Sequence, residues 1–176
     1  MSSVSLSDKK VLVILPSNKF QDEEYLDSRL ILSKAFASVD VASSQNIAKG
    51  INGTVVIPQY LLEDVEADEF DAILLIGGVG SIEHWHNAKL IKLLIKANQL
   101  GKLICAICLA PVTLANSGLL KDIKATAYKS AGTYLRSKGA IYTGKPVEIS
   151  GNLITARGPE ASKEFAWAIV DSLTDQ

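Results

Sequence analysis

Residues 103–111 carry the sequence LICAICLAP, and this stretch decides the fold. Its first five residues form an apolar run that predicts a buried strand. Pro111 predicts the first turn of a helix, because proline is tolerated there but not further inside. Cys108 stands between the two, at a sharp turn that lifts its sulfur over the positive end of the helix. That position favours the thiolate, which is the reactive form, and predicts a nucleophile elbow.

Apolar runs and amphipathic segments alternate on both sides of the elbow. We predict strands at residues 11–15, 39–42, 53–57, 71–76, 103–107 and 124–128, and a hairpin at residues 147–156. We predict helices at residues 25–37 and 87–100, behind Cys108 as far as Gly118, and around residues 165–173. Residues 16–21 are expected to form a polar loop. Such alternation indicates a doubly wound, mainly parallel α/β sheet. Ligands bind such sheets beyond the carboxyl ends of the strands, so the loop after Leu15, the Gly77-Gly78 turn and Cys108 should converge.

Length, composition and charge limit the class of protein. The 176 residues are 48% hydrophobic, which suits one domain, and we expect residues 1–9 to form a flexible tail and residues 10–176 a single domain. The net charge of −1, without a long run of one sign, argues against nucleic-acid binding. Residues 1–9 do not resemble a signal peptide, and the longest apolar segment, residues 103–115, is too short to span a membrane. We therefore expect a cytoplasmic protein.

Cys105 and Cys108 have the Cys-x-x-Cys spacing of redox pairs. With Cys105 in an extended strand, their Cα atoms are about 10 Å apart, and a disulfide needs less than about 7 Å. We therefore predict that Cys105 is a core residue. His84 and His86, the chain's two histidines, are expected at a rim or a subunit contact. Because no further suitably spaced ligands accompany them, no metal is expected. The glycine stretches at residues 50–53 and 77–80 match neither phosphate-loop nor dinucleotide fingerprints, and no cofactor is expected.

Backbone donors and an acid are expected beside Cys108. The bare backbone of the Gly77-Gly78 turn allows an N–H to approach a bound oxyanion, and the N–H of Leu109 would be a second donor. The loop at residues 19–24 adds carboxylates, which at a helix start can also serve as caps and dipole partners. A protonated carboxyl would donate to the thiolate, whereas an ionised one would raise the thiol pKa. Spacing leaves three candidates open: Asp22, Glu23 and Glu24.

Several stretches, in this order and at these separations, resemble the ThiJ/PfpI superfamily, whose members are related to class I glutamine amidotransferases. The resemblance covers residues 10–173. It rests on FQDEE at 20–24, FDAILLIGG at 70–78, AICLAP at 106–111, SGLLK at 117–121, TARGP at 155–159 and EFAWAIV at 164–170. It implies a flavodoxin-like, three-layer α/β/α sandwich.

The resemblance also implies roles for individual residues. Cys108 falls on the position of the nucleophile or redox centre, and Glu24 on that of a glutamate that contacts the thiolate. The backbone N–H groups of Gly78 and Leu109 fall on the oxyanion donors. Tyr128 falls on a pocket position that holds histidine in some branches and tyrosine in others.

The residue after the cysteine distinguishes two branches of the superfamily. The peptidase-like branch has a histidine there and a glutamate at the position of Gln21, whereas Leu109 follows Cys108 in this chain. The chain therefore resembles more closely the parkinsonism-linked deglycase and chaperone branch, in which a small apolar residue follows the cysteine. Since leucine is bulkier than the alanine usual there, we expect a narrower pocket.

The implied function is that of a cofactor-free enzyme whose Cys108 thiolate attacks small reactive dicarbonyls, as a glyoxalase III-like lyase or a deglycase. Two alternatives stay open. One is a redox-sensing or chaperone-like protein of oxidative stress that works through oxidation of Cys108, and the other is a PfpI-like intracellular cysteine peptidase. The expected partners are a small aldehyde or glycated substrate and, as superfamily members generally self-associate, other copies of the chain in a dimer or larger assembly.

Overall fold

The computed structural model describes residues 8–35 and 38–175 of the chain. In this part the strands are β1 (Lys10–Ile14), β2 (Asn18–Phe20), β3 (Ser38–Ser43), β4 (Ala48–Gly50), β5 (Val55–Val56), β6 (Tyr60–Leu61), β7 (Ala72–Leu75), β8 (Leu103–Ile107), β9 (Lys124–Ala125), β10 (Ile141–Tyr142), β11 (Val147–Ser150) and β12 (Leu153–Ala156). The α-helices are α1 (Asp22–Lys34), α2 (Ala88–Gln99), α3 (Pro111–Asn116), α4 (Gly132–Ser137) and α5 (Ser162–Thr174). Of the expected N-terminal tail, all but Asp8 and Lys9 lies outside the described residues.

Seven strands form the central sheet in the order β11-β12-β8-β7-β1-β3-β6. Every neighbouring pair is parallel except the hairpin of β11 and β12, which turns at the predicted residues 150–152. The order places β1 between β3 and β7, so the chain moves outward from β1 first on one side and then on the other. The predicted doubly wound α/β sheet is therefore confirmed.

The strands alternate their side chains between two hydrophobic cores. One row of cross-strand neighbours runs through Val41, Val13, Leu74, Cys105 and Ile154, and it packs in the core that α1 and α5 cover. The intervening side chains face a second core under α2, α3 and α4. Strands covered on both faces need continuous apolar sequences, which explains the uninterrupted runs. Cys105 is fully buried, which confirms the prediction that it is a core residue.

The short strands differ from the prediction. At residues 53–57 only β5 forms, and it joins β2 and β4 in a separate small sheet rather than the central one. β2 lies inside the predicted loop at residues 16–21, and the strand expected at 124–128 is reduced to β9, paired with β10. Ladders of two or three residues arise from tertiary contacts and carry no periodic pattern that sequence analysis can detect.

Helix α1 begins at Asp22, three residues before the predicted start. Its acidic first turn complements the positive end of the helix dipole, so these residues favour helix rather than loop. The predicted end of this helix, at residues 36–37, lies outside the described residues. Within residues 8–35 and 38–175, no helix combines the length and apolar character that a membrane span requires.

Candidate active site

Cys108 forms the turn between β8 and α3 with a φ of 66°. This left-handed conformation costs a residue with a side chain about 1–2 kcal/mol, so the surrounding contacts must fix it. The N–H of Cys108 donates to the Ala156 carbonyl at 2.9 Å, and its own carbonyl accepts the N–H of Tyr128 at 2.8 Å. The predicted sharp elbow is present, and only 6% of the cysteine is exposed.

Glu24 extends from the first turn of α1 to the buried side of the elbow. Its Oε2 accepts the backbone N–H of Gly77 at 2.9 Å, and its carboxylate also interacts with the Cys108 thiol. Burial raises the pKa of Glu24 to about 8, although the hydrogen bonds from Gly77 and Cys108 lower it, and the charges of Glu160 and Glu23 add to the increase. At neutral pH this acid therefore holds its proton most of the time.

The three acidic candidates have separate roles. Asp22 is buried and accepts the backbone N–H groups of Asn52 at 2.8 Å and Thr54 at 3.0 Å, so it holds the turn between β4 and β5. Burial alone would raise the pKa of Asp22, but hydrogen bonds from Thr54 and Asn52 outweigh it and leave the pKa below its usual value. Glu23 is exposed. Among the three, Glu24 alone acts on the Cys108 thiol.

Two backbone N–H groups, those of Gly78 and Leu109, are directed at the sulfur of Cys108 and lower the pKa of its thiol. Gly78 has a φ of 95°, and a Cβ there would lie 2.6 Å from the carbonyl oxygen of Lys19, so glycine is required. They belong to the two residues at which the resemblance implies oxyanion donors. Together with Glu24, they surround the sulfur with hydrogen-bonding groups from three segments of the chain.

The electrostatic balance on the Cys108 thiol differs from the sequence expectation. Burial has the largest effect and raises the pKa of the thiol, and an ionised Glu24 raises it further, while the two backbone donors oppose this change. The helix behind the cysteine has only six residues, so its dipole is small. The expectation that this position favours the thiolate is therefore wrong for the free site, because desolvation of the thiol outweighs the effect of the helix terminus.

Tyr128 lies at the rim of the site and is 40% exposed. A Cβ built on Gly158 would lie 3.5 Å from Cδ2 of the tyrosine ring, so the segment after β12 forms the opposite side of this rim. Beyond it, Arg157 donates from Nε to Glu160 at 2.8 Å. The sequence analysis did not assign a role to Glu160, whose charge affects Glu24; the stretch TARGP just before it was the available signal.

The expectation that both histidines lie at a rim or a subunit contact is wrong for His84. It is 3% exposed, because the 3₁₀-helix Val79–His84 turns it inward, and its Nε2 lies 3.5 Å from Oε1 of Glu83. Burial lowers the pKa of His84, and the charge of Glu83 opposes this shift. His86 is exposed. Within the described residues neither histidine acts on the Cys108 thiol, and no group of three potential metal ligands converges.

Comparison with known proteins finds one family over nearly the whole chain. The DJ-1/PfpI family matches residues 9–172. The chain is 32% identical to Protein dj-1beta of Drosophila melanogaster over 168 residues, covering 94% of this chain and 89% of that protein. It is 29% identical to the glutathione-independent glyoxalase DJR-1.2 of Caenorhabditis elegans, covering 95% and 90% of the two chains.

Two further comparisons extend this result to an archaeal protein and a solved structure. The deglycase PfpI of Pyrococcus furiosus is 28% identical, over 89% of this chain and 93% of that protein. The crystal structure of a ThiJ/PfpI domain protein from Brachyspira murdochii superposes with a TM-score of 0.92 at 32% identity, covering 95% of this chain and 97% of that chain. The flavodoxin-like sandwich is thereby confirmed.

Proposed function

The chain belongs to the DJ-1/PfpI family, and from that premise we propose that it is a cofactor-free enzyme for small reactive dicarbonyls, with Cys108 as nucleophile. One observation carries the proposal: an acid with a pKa of about 8 and two backbone donors converge on a single sulfur. A general acid–base works best when its pKa lies near the operating pH, and Glu24 meets this condition. The glyoxalase and deglycase names of two relatives support the same reaction class.

The narrow access to Cys108 supports a small substrate. The cysteine is 6% exposed, and the half-buried side chain of Leu109 lies directly beside it. An aldehyde carbon at the end of a short molecule such as methylglyoxal or glyoxal can approach through such an opening. A glycated side chain presents its reactive carbon at the end of a flexible chain and reaches the sulfur in the same way.

The first chemical step forms a bond between the sulfur and the aldehyde carbon. Ionised Glu24 takes the thiol proton as the sulfur attacks, and the carbonyl electron pair moves onto oxygen. The N–H groups of Gly78 and Leu109 then stabilise this oxyanion. Glu24 returns the proton to the oxygen, which gives a neutral hemithioacetal and restores the carboxylate.

The second step moves hydrogen between the two carbons of the dicarbonyl. Glu24 removes the C–H proton of the former aldehyde carbon and delivers it to the former ketone carbon, and the hydroxyl proton of the hemithioacetal passes to the former ketone oxygen. The former aldehyde carbon becomes a carbonyl again, which converts the hemithioacetal of methylglyoxal into a thioester of lactate. Water then adds to the thioester, the C–S bond breaks, and the thiol regains its proton. The sum is methylglyoxal plus water giving lactic acid, so no external oxidant or reductant is consumed.

The test is lactate formation from methylglyoxal without any added cofactor, by the wild type and by Cys108→Ser. We expect turnover by the wild type and a loss of at least about a hundredfold in the variant, because serine is a far weaker nucleophile without a strong base. Cys105→Ser serves as the matched control, and it should retain activity once its folding has been verified by circular dichroism. Turnover that survives in Cys108→Ser would refute the proposal.

A second candidate, redox sensing through Cys108, is favoured by the same donors. Two equivalents of peroxide would convert the thiol to a sulfinate with release of two waters, and the N–H groups of Gly78 and Leu109 with protonated Glu24 would bind its oxygens. Intact-mass analysis after mild peroxide treatment tests this role. A cysteine that stays reduced, or that proceeds directly to the sulfonate, would exclude it. The peptidase alternative has no such support, because Leu109 stands where that branch has its histidine.

A further inference from the structure

We propose that Trp85 is a positioning residue for the elbow, an inference that rests on the proposed role of Cys108. The indole Nε1 of Trp85 donates to the carbonyl oxygen of Leu109 at 3.1 Å. Leu109 is the residue whose N–H is directed at the sulfur of Cys108. The tryptophan therefore acts on the reacting atom through the backbone of one intervening residue.

The contacts around the elbow explain why this hydrogen bond matters. The peptide between Cys108 and Leu109 is held at the Cys108 carbonyl by Tyr128, and the next carbonyl, that of Leu109, is bound by Trp85 and by the N–H of Val112 at 3.3 Å. The bond from Val112 is local to the start of α3, whereas the indole belongs to a different segment. Because the left-handed Cys108 is strained, contacts from outside the turn are required to keep the Leu109 N–H aligned.

Trp85 is itself anchored on its far side. The side-chain amide of Asn116, at the end of α3, donates to the Trp85 carbonyl at 2.7 Å. The hydroxyl of Tyr134 on α4 donates in turn to the amide oxygen of Asn116 at 2.5 Å. A hydrogen-bonded chain thus runs from α4 through α3 to the main chain of Trp85, whose indole reaches the elbow.

The same segment of chain carries the other donor. Gly78 precedes the 3₁₀-helix Val79–His84, and Trp85 follows this helix directly. The residue that provides the first N–H donor and the residue that binds the Leu109 carbonyl are therefore joined by a single short helix. Within this stretch Glu83 accepts the hydroxyl groups of Ser17 at 2.8 Å and Ser44 at 3.3 Å, which connects it to the residue before β2 and to the residue after β3. Trp85 therefore sets the spacing between the two donors.

The decisive variant is Trp85→Phe, which keeps an aromatic ring and removes the N–H donor. Cys108 alkylation by iodoacetamide is followed across pH by intact mass, which reports the apparent thiol pKa. We expect that pKa to rise by about half a unit and alkylation near neutral pH to slow about threefold, because a misaligned Leu109 N–H stabilises the thiolate less. For methylglyoxal we expect kcat to fall about tenfold while KM stays within about twofold.

Trp167→Phe is the matched control, because this second tryptophan is half exposed on α5, outside the site, and should leave both readouts unchanged. Asn116→Ala keeps the indole but removes the hydrogen bond to the Trp85 carbonyl, so it should raise the thiol pKa by a smaller amount than Trp85→Phe. If Trp85→Phe does not fold, Asn116→Ala tests the inference in its place. If Trp85 has only a structural role, Trp85→Phe will lower the melting temperature but keep the same alkylation profile across pH as the wild type. That result would overturn the inference. The alkylation arm needs no turnover, so failure of the proposed enzyme activity is detected separately.

Discussion

The carboxylate of Glu24 and the backbone of Gly77 are in direct contact, with Oε2 2.9 Å from the amide nitrogen. A Cβ on Gly77 would lie 3.1 Å from this oxygen, 2.7 Å from the Cβ of Cys108 and 2.6 Å from the Ile107 carbonyl oxygen. The absent side chain at position 77 therefore allows Glu24 and Cys108 to approach each other. Four predictions concern this contact and the helix turn that supplies the acid.

Gly77→Ala should reduce both the free energy of unfolding and the reactivity of Cys108. The added methyl group overlaps backbone and Cβ atoms that belong to the elbow and cannot rotate away, so we expect a loss of about 1–3 kcal/mol in the free energy of unfolding. Urea denaturation measures this loss. Gly101→Ala is the control, because it adds a methyl group in open space and carries only the strain of a positive φ, about 1 kcal/mol. Equal losses in the two variants would contradict the packing argument.

Glu24→Gln should stabilise the protein increasingly as the pH rises. The usual pKa of this carboxyl is 4.5, and in the folded protein it is about 8. Between these values the unfolded chain releases the proton while the folded protein retains it, so the free energy of unfolding falls by about 1.4 kcal/mol per pH unit. Glutamine keeps the shape and never ionises. Its gain in melting temperature over the wild type should therefore grow from about pH 5 to about pH 8 and then level off.

The control for this experiment is Glu23→Gln, the exposed neighbour in the same helical turn. It removes the same charge from the chain without removing a buried acid, so its difference in melting temperature from the wild type should be small and should not grow steadily with pH. A stability difference for Glu24→Gln that does not change with pH would show that the carboxyl ionises normally in the folded protein.

Methylglyoxal turnover should increase as the pH rises through about 8. The proposed mechanism requires ionised Glu24 to accept the Cys108 proton, and burial delays that ionisation. The value of kcat/KM for lactate formation, measured from about pH 6 to about pH 9, should therefore follow a single ascending limb. In Glu24→Gln, kcat/KM should fall by about a hundredfold or more, and it should no longer rise with pH through about 8. A profile that is flat or falls over that range would exclude Glu24 as the base.

Asp22→Asn should destabilise the turn between β4 and β5. The carboxylate accepts two backbone N–H groups, and asparagine offers one acceptor oxygen while turning an NH₂ group toward the other donor, so we expect a cost of about 1–3 kcal/mol near neutral pH. The pKa of Asp22 is lowered on folding, so its contribution is present above the usual value of 3.8 and is lost as the pH falls through the folded pKa. Urea unfolding should therefore give a large difference in the free energy of unfolding between the wild type and Asp22→Asn at about pH 7, and a smaller difference at about pH 3.

Hydrogen exchange at residues 50–54 locates the effect, because the freed amides should exchange faster there than elsewhere. Asp64→Asn, at an exposed aspartate, is the control and should change neither readout. If Asp22→Asn unfolds at the same urea concentration as the wild type at both pH values, the two hydrogen bonds contribute nothing to stability.

The elbow could be predicted because its signals are local. An apolar run followed by Cys108 and Pro111 constrains strand, turn and helix within nine residues, and the structure has each of them where the pattern predicts it. The identity of the acid was not available locally. Asp22 and Glu24 are two positions apart, which on a helix directs them to nearly opposite sides, but this argument needs the true start of α1. That start became known only from the fold.

Burial was the property that sequence reasoning estimated least well. His84 was expected at a rim or a subunit contact, yet the 3₁₀-helix Val79–His84 directs its ring inward. Burial was also underestimated for the thiol of Cys108, because the thiol pKa depends on how much water the neighbouring segments exclude. Both errors arise because solvent access is set by residues far away in the chain.

Tyr128 supports the elbow with its main chain, not with its phenol: the group that holds the Cys108 carbonyl is an amide N–H, which every amino acid except proline possesses. The hydrogen bond that supports the elbow therefore does not depend on which side chain occupies position 128. Selection, or an engineer working with a mutant library, can therefore exchange the Tyr128 side chain while the main-chain hydrogen bond that holds Cys108 is kept, and proline is the one substitution that such a library should leave out.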